Sequence, residues 1–222
     1  MSFLQRPIRW LRAITRFGAT TSGGPNFAYE LCVQKVQDDQ IKDLDLSRWR
    51  VAFNGAEPVR AETLDRFAEK FAPCGFRREA FYPCYGLAEA SLIVTGGYAA
   101  RPPIVRHFSA SSLLEGDAVK TSSHSPDSRP LVGCGETLVD QQVVIVDPES
   151  RTTCGESQVG EIWVRGPSVA RGYWNKPDIN DTVFKARLAD TGEGPFLRTG
   201  DLGFLDRGEL FVTGRIKDLI IL

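Results

Sequence analysis

Apolar residues recur at helical spacing at the start of the chain. This pattern predicts an amphipathic helix over residues 4–17, which ends at Gly18. The polar stretch 20–25, rich in Thr, Ser and Gly, is predicted to be a loop. A second helix is expected over residues 27–36, with the Asn26 side chain as its N-terminal cap.

Strand-like and helix-like runs then alternate. Residues 51–53 predict a strand that stops at Asn54, and Pro58 suits the first turn of a following helix with one apolar face. Residues 81–82 predict the next strand, and another helix is expected to begin near Leu87. This alternation is typical of a parallel α/β sheet, in which ligand sites lie at the carboxyl ends of the strands.

The spacing of apolar residues changes in the second half of the chain. Residues 98–130 are rich in Pro, Ser and charge, and they predict a long insertion or loop. Beyond them, short apolar runs separated by turns predict mostly antiparallel β-structure, a small barrel or sandwich. We therefore expect three segments: a partial α/β unit over 1–97, an insertion or loop over 98–130, and a β-rich unit over 131–222.

Composition restricts the class of protein further. The 222 residues are 42% hydrophobic and 25% charged, which is typical of a globular chain. The 27 Lys and Arg residues nearly balance the 28 Asp and Glu residues. A near-neutral chain has no overall field to attract nucleic acid or an anionic membrane, and no apolar run approaches the roughly 20 residues of a transmembrane segment.

Cysteine usage and the chain ends add two expectations. The five cysteines are widely spaced and include no CxxC pair, and the sequence has only two histidines that could help to bind a metal. This pattern predicts reduced thiols in a cytoplasmic protein without a zinc site. Because the chain lacks an opening strand and stops inside the apolar run 216–222, we expect a fragment of a longer protein.

Three charged residues could carry chemistry, and each also has a purely structural explanation. Glu89 could bind a hard cation beside a phosphate, or simply stabilise the first turn of the predicted helix. Asp201 could accept both hydroxyls of a ribose, or belong to an ordinary turn. Arg215 offers a planar set of donors to ribose or phosphate oxygens, or is a solvated charge. The sequence contains no Walker loop and no GxSxG motif.

The order of the motifs is more specific than any one of them. The motifs are NGAEP at 54–58, YGLAEA at 85–90, GEIWVRGPSVARGYWN at 160–175, LRTGDLG at 197–203 and GRIKDLI at 214–220. In this order the chain resembles the adenylate-forming (acyl-activating) superfamily. TTSGGPNFAYELC at 20–32, the form YGLAEASL, and the extra segment before RPLVGCG most resemble the fatty-acyl-AMP ligases within it.

The resemblance implies a fold and a nucleotide site. The fold is part of a parallel α/β sheet subdomain, followed by a mostly antiparallel β subdomain (a distorted barrel) that ends at the hinge to a C-terminal lid. Residues 55–57 are implied to line the adenine slot, Tyr85 to stack on the base, and Asp201 to hold the ribose. The full implied nucleotide-binding set is Gly55, Ala56, Glu57, Tyr85, Gly86, Leu87, Ala88, Asp201 and Arg215.

A metal site and an acyl pocket are implied as well. Glu89 is implied to bind Mg²⁺ beside the α-phosphate of ATP, and Asn26, Phe27 and Ala28 to border the acyl pocket. Lys217 falls at the hinge. No catalytic residue is assigned with certainty, since the lysine that serves adenylation in the family belongs to the lid.

The implied activity joins a fatty acid and ATP to give acyl-adenylate and pyrophosphate, with transfer to an acyl carrier protein or a polyketide synthase carrier domain. The family's insertion is thought to hinder the lid movement that lets relatives use coenzyme A. Without the phosphate loop and the lid, we expect this chain alone to be weak or inactive. The alternatives are an acyl-coenzyme A synthetase, a peptide-synthetase adenylation module, and a non-catalytic remnant that binds a partner.

Overall fold

A computed structural model of the chain describes residues 2–218. The last residues of the apolar run, 219–222, lie outside them. The helices are α1 (Ser2–Gln5), α2 (Ile8–Phe17), α3 (Asn26–Lys35), α4 (Asp38–Ile41), α5 (Ala61–Phe71), α6 (Ala110–Leu114) and α7 (Pro177–Val183). The strands are β1 (Thr21–Gly24), β2 (Val51–Asn54), β3 (Phe81–Gly86), β4 (Ile93–Gly96), β5 (Val105–Ser109), β6 (Ser128–Val132), β7 (Glu136–Thr137), β8 (Gln142–Val146), β9 (Gly160–Arg165), β10 (Leu197–Asp206) and β11 (Glu209–Arg215).

The first sheet has five strands in the order β1-β2-β3-β4-β7. Strands β1, β2 and β3 are parallel, whereas β4 and β7 run antiparallel to their neighbours. The predicted parallel α/β arrangement is therefore confirmed for the first three strands. Helices α2, α3 and α5 pack with these strands in one core, which contains the aromatic cluster of Tyr29, Trp49, Phe67, Phe71, Phe76 and Phe81.

The loop predicted at residues 20–25 is wrong, because Thr21–Gly24 forms an edge strand of this sheet. Its side chains are small and polar, so it lacks the apolar alternation that marks a strand. Backbone pairing with β2 holds it instead. A side chain at Gly23 would meet the Phe53 carbonyl oxygen at 2.1 Å, so glycine permits this close approach.

The expected Asn26 cap is also wrong. Asn26 is the first residue of α3, and Pro25 occupies the capping position without a side-chain hydrogen bond. The buried Asn26 amide is used elsewhere. Its oxygen accepts a hydrogen bond from the Arg60 backbone N–H at 3.0 Å, and its Nδ2 donates to Thr63 Oγ1 at 3.2 Å. Asn26 therefore joins the start of α3 to the start of α5.

No long helix begins near Leu87. A single 3₁₀ turn, Ala88–Ala90, separates β3 from β4, which returns antiparallel to it. Ser91 has a positive φ of 66°, so the chain reverses at once and leaves no room for a helix. The helix predicted after β3 is therefore wrong. A tight connection joins β3 to the antiparallel strand β4 in its place.

The segment 98–130 is ordered rather than a plain loop. It contains β5, α6 and the start of β6, and the two strands pair antiparallel as a separate small sheet. Phe108 on β5 packs against Phe204 and Phe211 of the β10–β11 hairpin at ring-centroid distances of 4.9 and 5.4 Å. Its status as a family insertion, and the segment boundaries at 97/98 and 130/131, stay predictions.

The second large sheet is antiparallel, with strands in the order β11-β10-β9-β8. This confirms the predicted mostly antiparallel β-structure. The turn between β10 and β11 follows Asp206, and Arg207 and Gly208 in it both have positive φ. The sheet is open within residues 2–218, so the expected distorted barrel is not closed. Tyr85 and Val94 of the first sheet share a core with strands β8 to β11, which joins the two sheets. No helix within residues 2–218 has the length and apolar character needed to cross a membrane.

A buried carboxylate joins the 98–130 segment to this second sheet. The Asp206 side chain is only 4% exposed, and it forms ion pairs with Arg106 and with Lys120, the latter at 2.9 Å. Burial opposes ionisation of Asp206, but hydrogen bonds from Lys120 and Arg106 outweigh it and hold the pKa below its usual value. The ionised form of Asp206 therefore stabilises the fold.

Replacing Asp206 by Asn should lower the free energy of unfolding by about 1–3 kcal/mol at pH 7, because two cations lose their charged partner. Since the pKa of Asp206 is lower in the folded state, this stabilisation is complete above pH ~4 and is lost as the pH falls through the folded-state pKa. Urea unfolding at several pH values measures the difference between wild type and variant, which should narrow below pH ~4.

The matched control is Asp181→Asn, whose pair with Lys185 is about two-thirds exposed on both sides. This control should change stability by less than about 0.5 kcal/mol. Equal losses in the free energy of unfolding for the two substitutions would show that the buried Asp206 ion pairs do not stabilise the fold.

Candidate functional site

Three of the sequence-predicted site residues meet at one carboxylate. Tyr85, near the end of β3, donates its hydroxyl to Asp201 Oδ2 at 2.8 Å. Arg215, the last residue of β11, donates its Nε to Asp201 Oδ1 at 2.7 Å. Asp201 is 8% exposed and Tyr85 is 7% exposed. We call Tyr85, Asp201 and Arg215 the carboxylate cluster; it brings together residues up to 130 positions apart in the chain.

Electrostatics favour a neutral phenol and a charged guanidinium in the carboxylate cluster. Burial, followed by the negative charge of Asp201, raises the pKa of Tyr85 far above its usual value. The hydrogen bond to Asp201 raises the pKa of Arg215. Each Asp201 oxygen accepts one hydrogen bond here and has a further lone pair for another donor. The cluster can therefore accept hydroxyl groups from a ligand. Stacking of Tyr85 on a base stays a prediction.

Glu89 lies in the 3₁₀ turn after β3, next to a segment that follows β9. The Tyr173 hydroxyl donates to Glu89 Oε1 at 2.5 Å, and the Ala170 backbone N–H donates to the Glu89 carbonyl at 2.7 Å. A third hydrogen bond joins Ser91 Oγ to the Ser168 carbonyl at 2.7 Å. The residues 168–173 are therefore fixed along the turn that carries Glu89.

Tyr173 was not identified from the sequence, although it lies inside the quoted motif at 160–175. Its backbone is held by the Asn180 side chain, which accepts from Tyr173 N–H at 2.7 Å and donates to its carbonyl at 3.0 Å. Its ring packs edge-on against Phe184 at 5.1 Å. The Tyr173 hydroxyl thus orients one oxygen of the Glu89 carboxylate, and the second oxygen accepts no hydrogen bond from the residues described.

The loop after β2 contacts the start of α3. Ala56 adopts a positive φ of 66°, and the next residue, Glu57, accepts a hydrogen bond from the Phe27 backbone N–H at 2.5 Å. Glu57 thus satisfies an N–H in the first turn of α3. The loop predicted to line an adenine slot and the helix start predicted to border an acyl pocket are adjacent in space.

Asn54, which ends β2, was not identified as a site residue. It is fully buried, and neither atom of its side-chain amide has a hydrogen-bond partner within the described chain. An unpartnered buried amide is costly, so a water or ligand group is expected to complete it. Its position beside Gly55 places it at the predicted adenine loop.

The glycines at the strand ends are explained by packing. A side chain at Gly86 would meet the Leu92 carbonyl oxygen at 1.7 Å, and one at Gly55 would meet the Cys84 carbonyl oxygen at 2.7 Å. Both positions therefore require glycine for the fold itself. The role of Gly86 in the approach of a nucleotide stays a prediction.

The other predicted site residues differ in exposure. Leu87 packs at the edge of the core that joins the two sheets, and Ala88 is exposed. Lys217 is exposed in a 3₁₀ turn, Ile216–Asp218. Of the three residues predicted to border the acyl pocket, Asn26 and Ala28 are buried, while Phe27 is 44% exposed.

Among the surface cavities of the described residues are two with volumes of about 430 and 270 Å³. The larger lies beside α4. The smaller lies between β9, Ala170 and Phe184. Neither of these two cavities is lined by a residue of the predicted nucleotide set.

The Tyr173–Glu89 contact can be measured by titration. The hydrogen bond to Glu89, with smaller contributions from burial and from the carboxylate charge, raises the pKa of Tyr173 to about 12. Because ionising the phenol would put two anions together, Glu89→Gln should lower this pKa toward the usual value of about 10. NMR of ring-¹³C-labelled tyrosine, with Tyr173→Phe for assignment, follows the titration.

Tyr98 is the internal control, since its hydroxyl contacts Glu136 at 2.7 Å, and its titration should be the same in Glu89→Gln and wild type. A Tyr173 midpoint that stays near 12 in Glu89→Gln would show that the contact does not form in solution.

Comparison with known proteins identifies the family. The family model described as AMP-binding enzyme matches residues 2–174, more than half of the chain. A crystal structure of a fatty acyl-adenylate ligase from Legionella pneumophila, in complex with acyl adenylate and pyrophosphate, has a TM-score of 0.94 and 49% identity. The match covers 99% of this chain and 38% of that one.

Curated relatives match the whole chain, and two of them differ in the product that their names give. A medium-chain-fatty-acid–[acyl-carrier-protein] ligase, JamA of Moorena producens, is 50% identical over 224 residues, and the chain spans 38% of its length. A Mycobacterium tuberculosis relative named as a fatty-acid–CoA ligase is 43% identical over 225 residues, again with 38% of its length covered. The chain belongs to the AMP-binding family of adenylate-forming enzymes, and its sequence and fold are similar to those of the fatty-acyl-AMP ligases.

Proposed function

We propose that this chain carries the nucleotide- and acyl-binding part of a fatty-acyl-AMP ligase. The proposed reaction joins a fatty acid to ATP, which gives acyl-adenylate and pyrophosphate, and the acyl group then passes to a carrier protein. The similarity to the Moorena fatty-acid ligase and to the Legionella fatty acyl-adenylate ligase supports both the fatty acid and the adenylate. An acyl carrier protein or a polyketide synthase carrier domain is the proposed acceptor.

The carboxylate cluster is the observation that carries this proposal. An adenylate offers two vicinal ribose hydroxyls, and Asp201 has two oxygens that can each accept one more hydrogen bond. Arg215 balances the charge of Asp201, so the site does not present an unpaired anion to a phosphate ester. With 64% of its side chain exposed, Arg215 can also reach a bound oxygen itself.

Mg²⁺ is proposed to accompany the nucleotide at Glu89. Within residues 2–218, no group of three or more His, Cys, Asp and Glu side chains is arranged to hold a metal ion alone. One carboxylate oxygen with no hydrogen bond fits Mg²⁺, which commonly takes one or two carboxylates and completes its shell with phosphates and water. When bound, the ion supplies charge compensation for the phosphoryl oxygens.

The chain's own contribution to the reaction is mainly positioning. A fatty carboxylate and a phosphate are both anions, so holding them in line offsets repulsion and lost freedom; well-oriented intramolecular reactions gain about 7–11 kcal/mol in this way. Glu57 links the adenine loop to α3, and the cluster at Asp201 holds the ribose. These contacts are proposed to hold the fatty carboxylate and the α-phosphate at a defined distance from each other.

The proposed compartment is the cytoplasm. All five cysteines, which lie within the described residues, are unpaired, and burial raises the pKa of the Cys84 thiol to about 11. Thiols that persist unpaired and protonated support a reducing environment.

Asp201→Ala should weaken binding of an acyl sulfamoyl adenosine, a non-hydrolysable acyl-adenylate mimic, by at least tenfold. Two hydrogen bonds to a charged group are lost, each contributing about 1.5–3 kcal/mol. Isothermal titration calorimetry on the 222-residue chain measures the dissociation constant. Asp181→Ala, at an exposed ion pair, is the matched control and should bind like wild type.

Saturable binding that survives Asp201→Ala unchanged would contradict the ribose role of Asp201. No saturable binding by the wild-type chain would instead favour a partner-binding module without a nucleotide site.

A second candidate product is an acyl-coenzyme A thioester, because the Mycobacterium tuberculosis relative is named as a CoA ligase. These 222 residues can replace the matching stretch of the Legionella ligase, to which the fold corresponds with a TM-score of 0.94. Incubation of this hybrid with fatty acid, ATP and coenzyme A should give acyl-adenylate without thioester. Rapid thioester formation would favour the synthetase.

A further inference from the structure

We infer that Glu161, a buried residue of β9, is a positioning residue that holds Asp201 in its ligand-binding orientation. Glu161 does not touch the predicted ligand site, and the motif that contains it gives no indication of this role. The inference rests on the proposed nucleotide site for its functional meaning. That Glu161 fixes the position of Asp201 is inferred separately, from contacts between β9 and β10.

The pairing of β9 with β10 is interrupted where Asp201 lies. Arg198 pairs with Trp163 and Leu202 pairs with Glu161, so the three residues 199–201 stand opposite the single residue Ile162. Such a bulge leaves backbone groups unpaired and redirects the side chains that it carries. Asp201 is the last residue of this bulge, and across β10 and β11 it pairs with Arg215. Contacts that fix the bulge therefore constrain where the Asp201 carboxylate lies relative to Tyr85 and Arg215.

Glu161 supplies the missing pairing at this bulge. Its Oε1 accepts a hydrogen bond from the Gly200 backbone N–H at 3.1 Å. Gly200 has a φ of +72° and open space where a side chain would be, so the backbone conformation rather than crowding requires glycine. A second contact at the bulge comes from Thr199, whose Oγ1 donates to the Ile162 carbonyl at 2.7 Å and accepts from the Asp201 N–H at 3.1 Å.

The Glu161 carboxylate is itself immobilised. It is 2% exposed, and its Oε2 accepts from Trp163 Nε1 at 2.8 Å and from Arg198 at 2.7 and 2.9 Å. The Arg198 guanidinium also lies over the Trp163 ring at 5.4 Å. A buried charge is costly unless it is paired and hydrogen-bonded, and here both conditions are met. Arg198 and Gly200 are thus both held by the Glu161 carboxylate of β9.

Glu161→Gln tests the inference, because it keeps the size of the side chain and removes the charge that holds Arg198. The first readout needs no ligand: the ring-¹³C NMR signal of Tyr85, assigned with Tyr85→Phe, reports the hydrogen bond to Asp201. In Glu161→Gln this signal should move in the same direction as in Asp201→Ala. Arg198→Lys, a milder change that keeps the positive charge, should move it less and in the same direction.

Glu209→Gln is the matched control. Glu209 is also buried, at 6% exposed, and accepts a backbone N–H from Gly135 at 2.7 Å, but it does not contact the bulge. It should leave the Tyr85 signal unchanged while lowering the thermal midpoint. An unchanged Tyr85 signal in both Glu161→Gln and Arg198→Lys would overturn the inference, as would an equal shift in Glu209→Gln.

The second readout separates this inference from the proposed function. Calorimetry with the acyl sulfamoyl adenosine should show about tenfold weaker binding for Glu161→Gln. The same change should cost less than twofold when Asp201 is already Ala, because Glu161 acts through Asp201. If wild type binds no mimic while the Tyr85 signal still responds, the proposed function fails and the positioning role stands. If wild type binds and Glu161→Gln binds equally well, the inference fails alone.

Discussion

The relative placement of the two large sheets depends on the hydrogen bonds that the Asp201 carboxylate accepts. This carboxylate is nearly buried, and it receives a hydroxyl from the first sheet and a guanidinium from the second. A buried anion is tolerated only when its oxygens are paired, so Tyr85 and Arg215 are constrained as strongly as Asp201 itself. The same Tyr85 ring lies in the apolar core shared by both sheets. Polar and apolar contacts therefore specify one relative placement of the two sheets.

The sequence predicted those elements whose side chains carry a clear period. Helices α2 and α5 and strand β2 bury one face, and apolar spacing reports such a face directly. Strand β1 was missed because its four small polar residues show no apolar alternation. They are held by backbone pairing with β2 and by hydrogen bonds from Trp10 and Trp49 to Ser22. The helix expected near Leu87 was wrong because the direction of the next strand, which no local pattern encodes, leaves only a 3₁₀ turn. Local signals predict elements, whereas strand direction depends on distant partners.

The candidate site shows the same limit. Motif order drew attention to Tyr85, Asp201 and Arg215, but their mutual contacts join residues 116 and 14 positions apart and follow only from the fold. Tyr173 and Glu161 lie inside the motif at 160–175, yet nothing local distinguishes a tyrosine that contacts Glu89 from one that contacts only solvent. In the sequence, Asn54 is an ordinary polar residue at the end of a strand. Only the structure shows that its side chain is fully buried. The sequence therefore indicated candidate binding residues, and their roles stay predictions; it did not identify the residues that contact and orient them.

The two halves of the proposed substrate are served by one connected set of contacts. Glu57 accepts from the first turn of α3, and Asn26 accepts from the Arg60 N–H, so the loop between β2 and α5 is tied to α3 at both of its ends. Movement of α3 around an acyl chain must therefore move the loop predicted to hold the adenine. Asp201 lies in the β9–β10 bulge and, within the described residues, has no hydrogen bond to this loop, so such movement would change the distance between the predicted base and ribose sites. Chain-length selectivity is then expected to depend on the stiffness of the β2–α5 loop as well as on the depth of the acyl pocket.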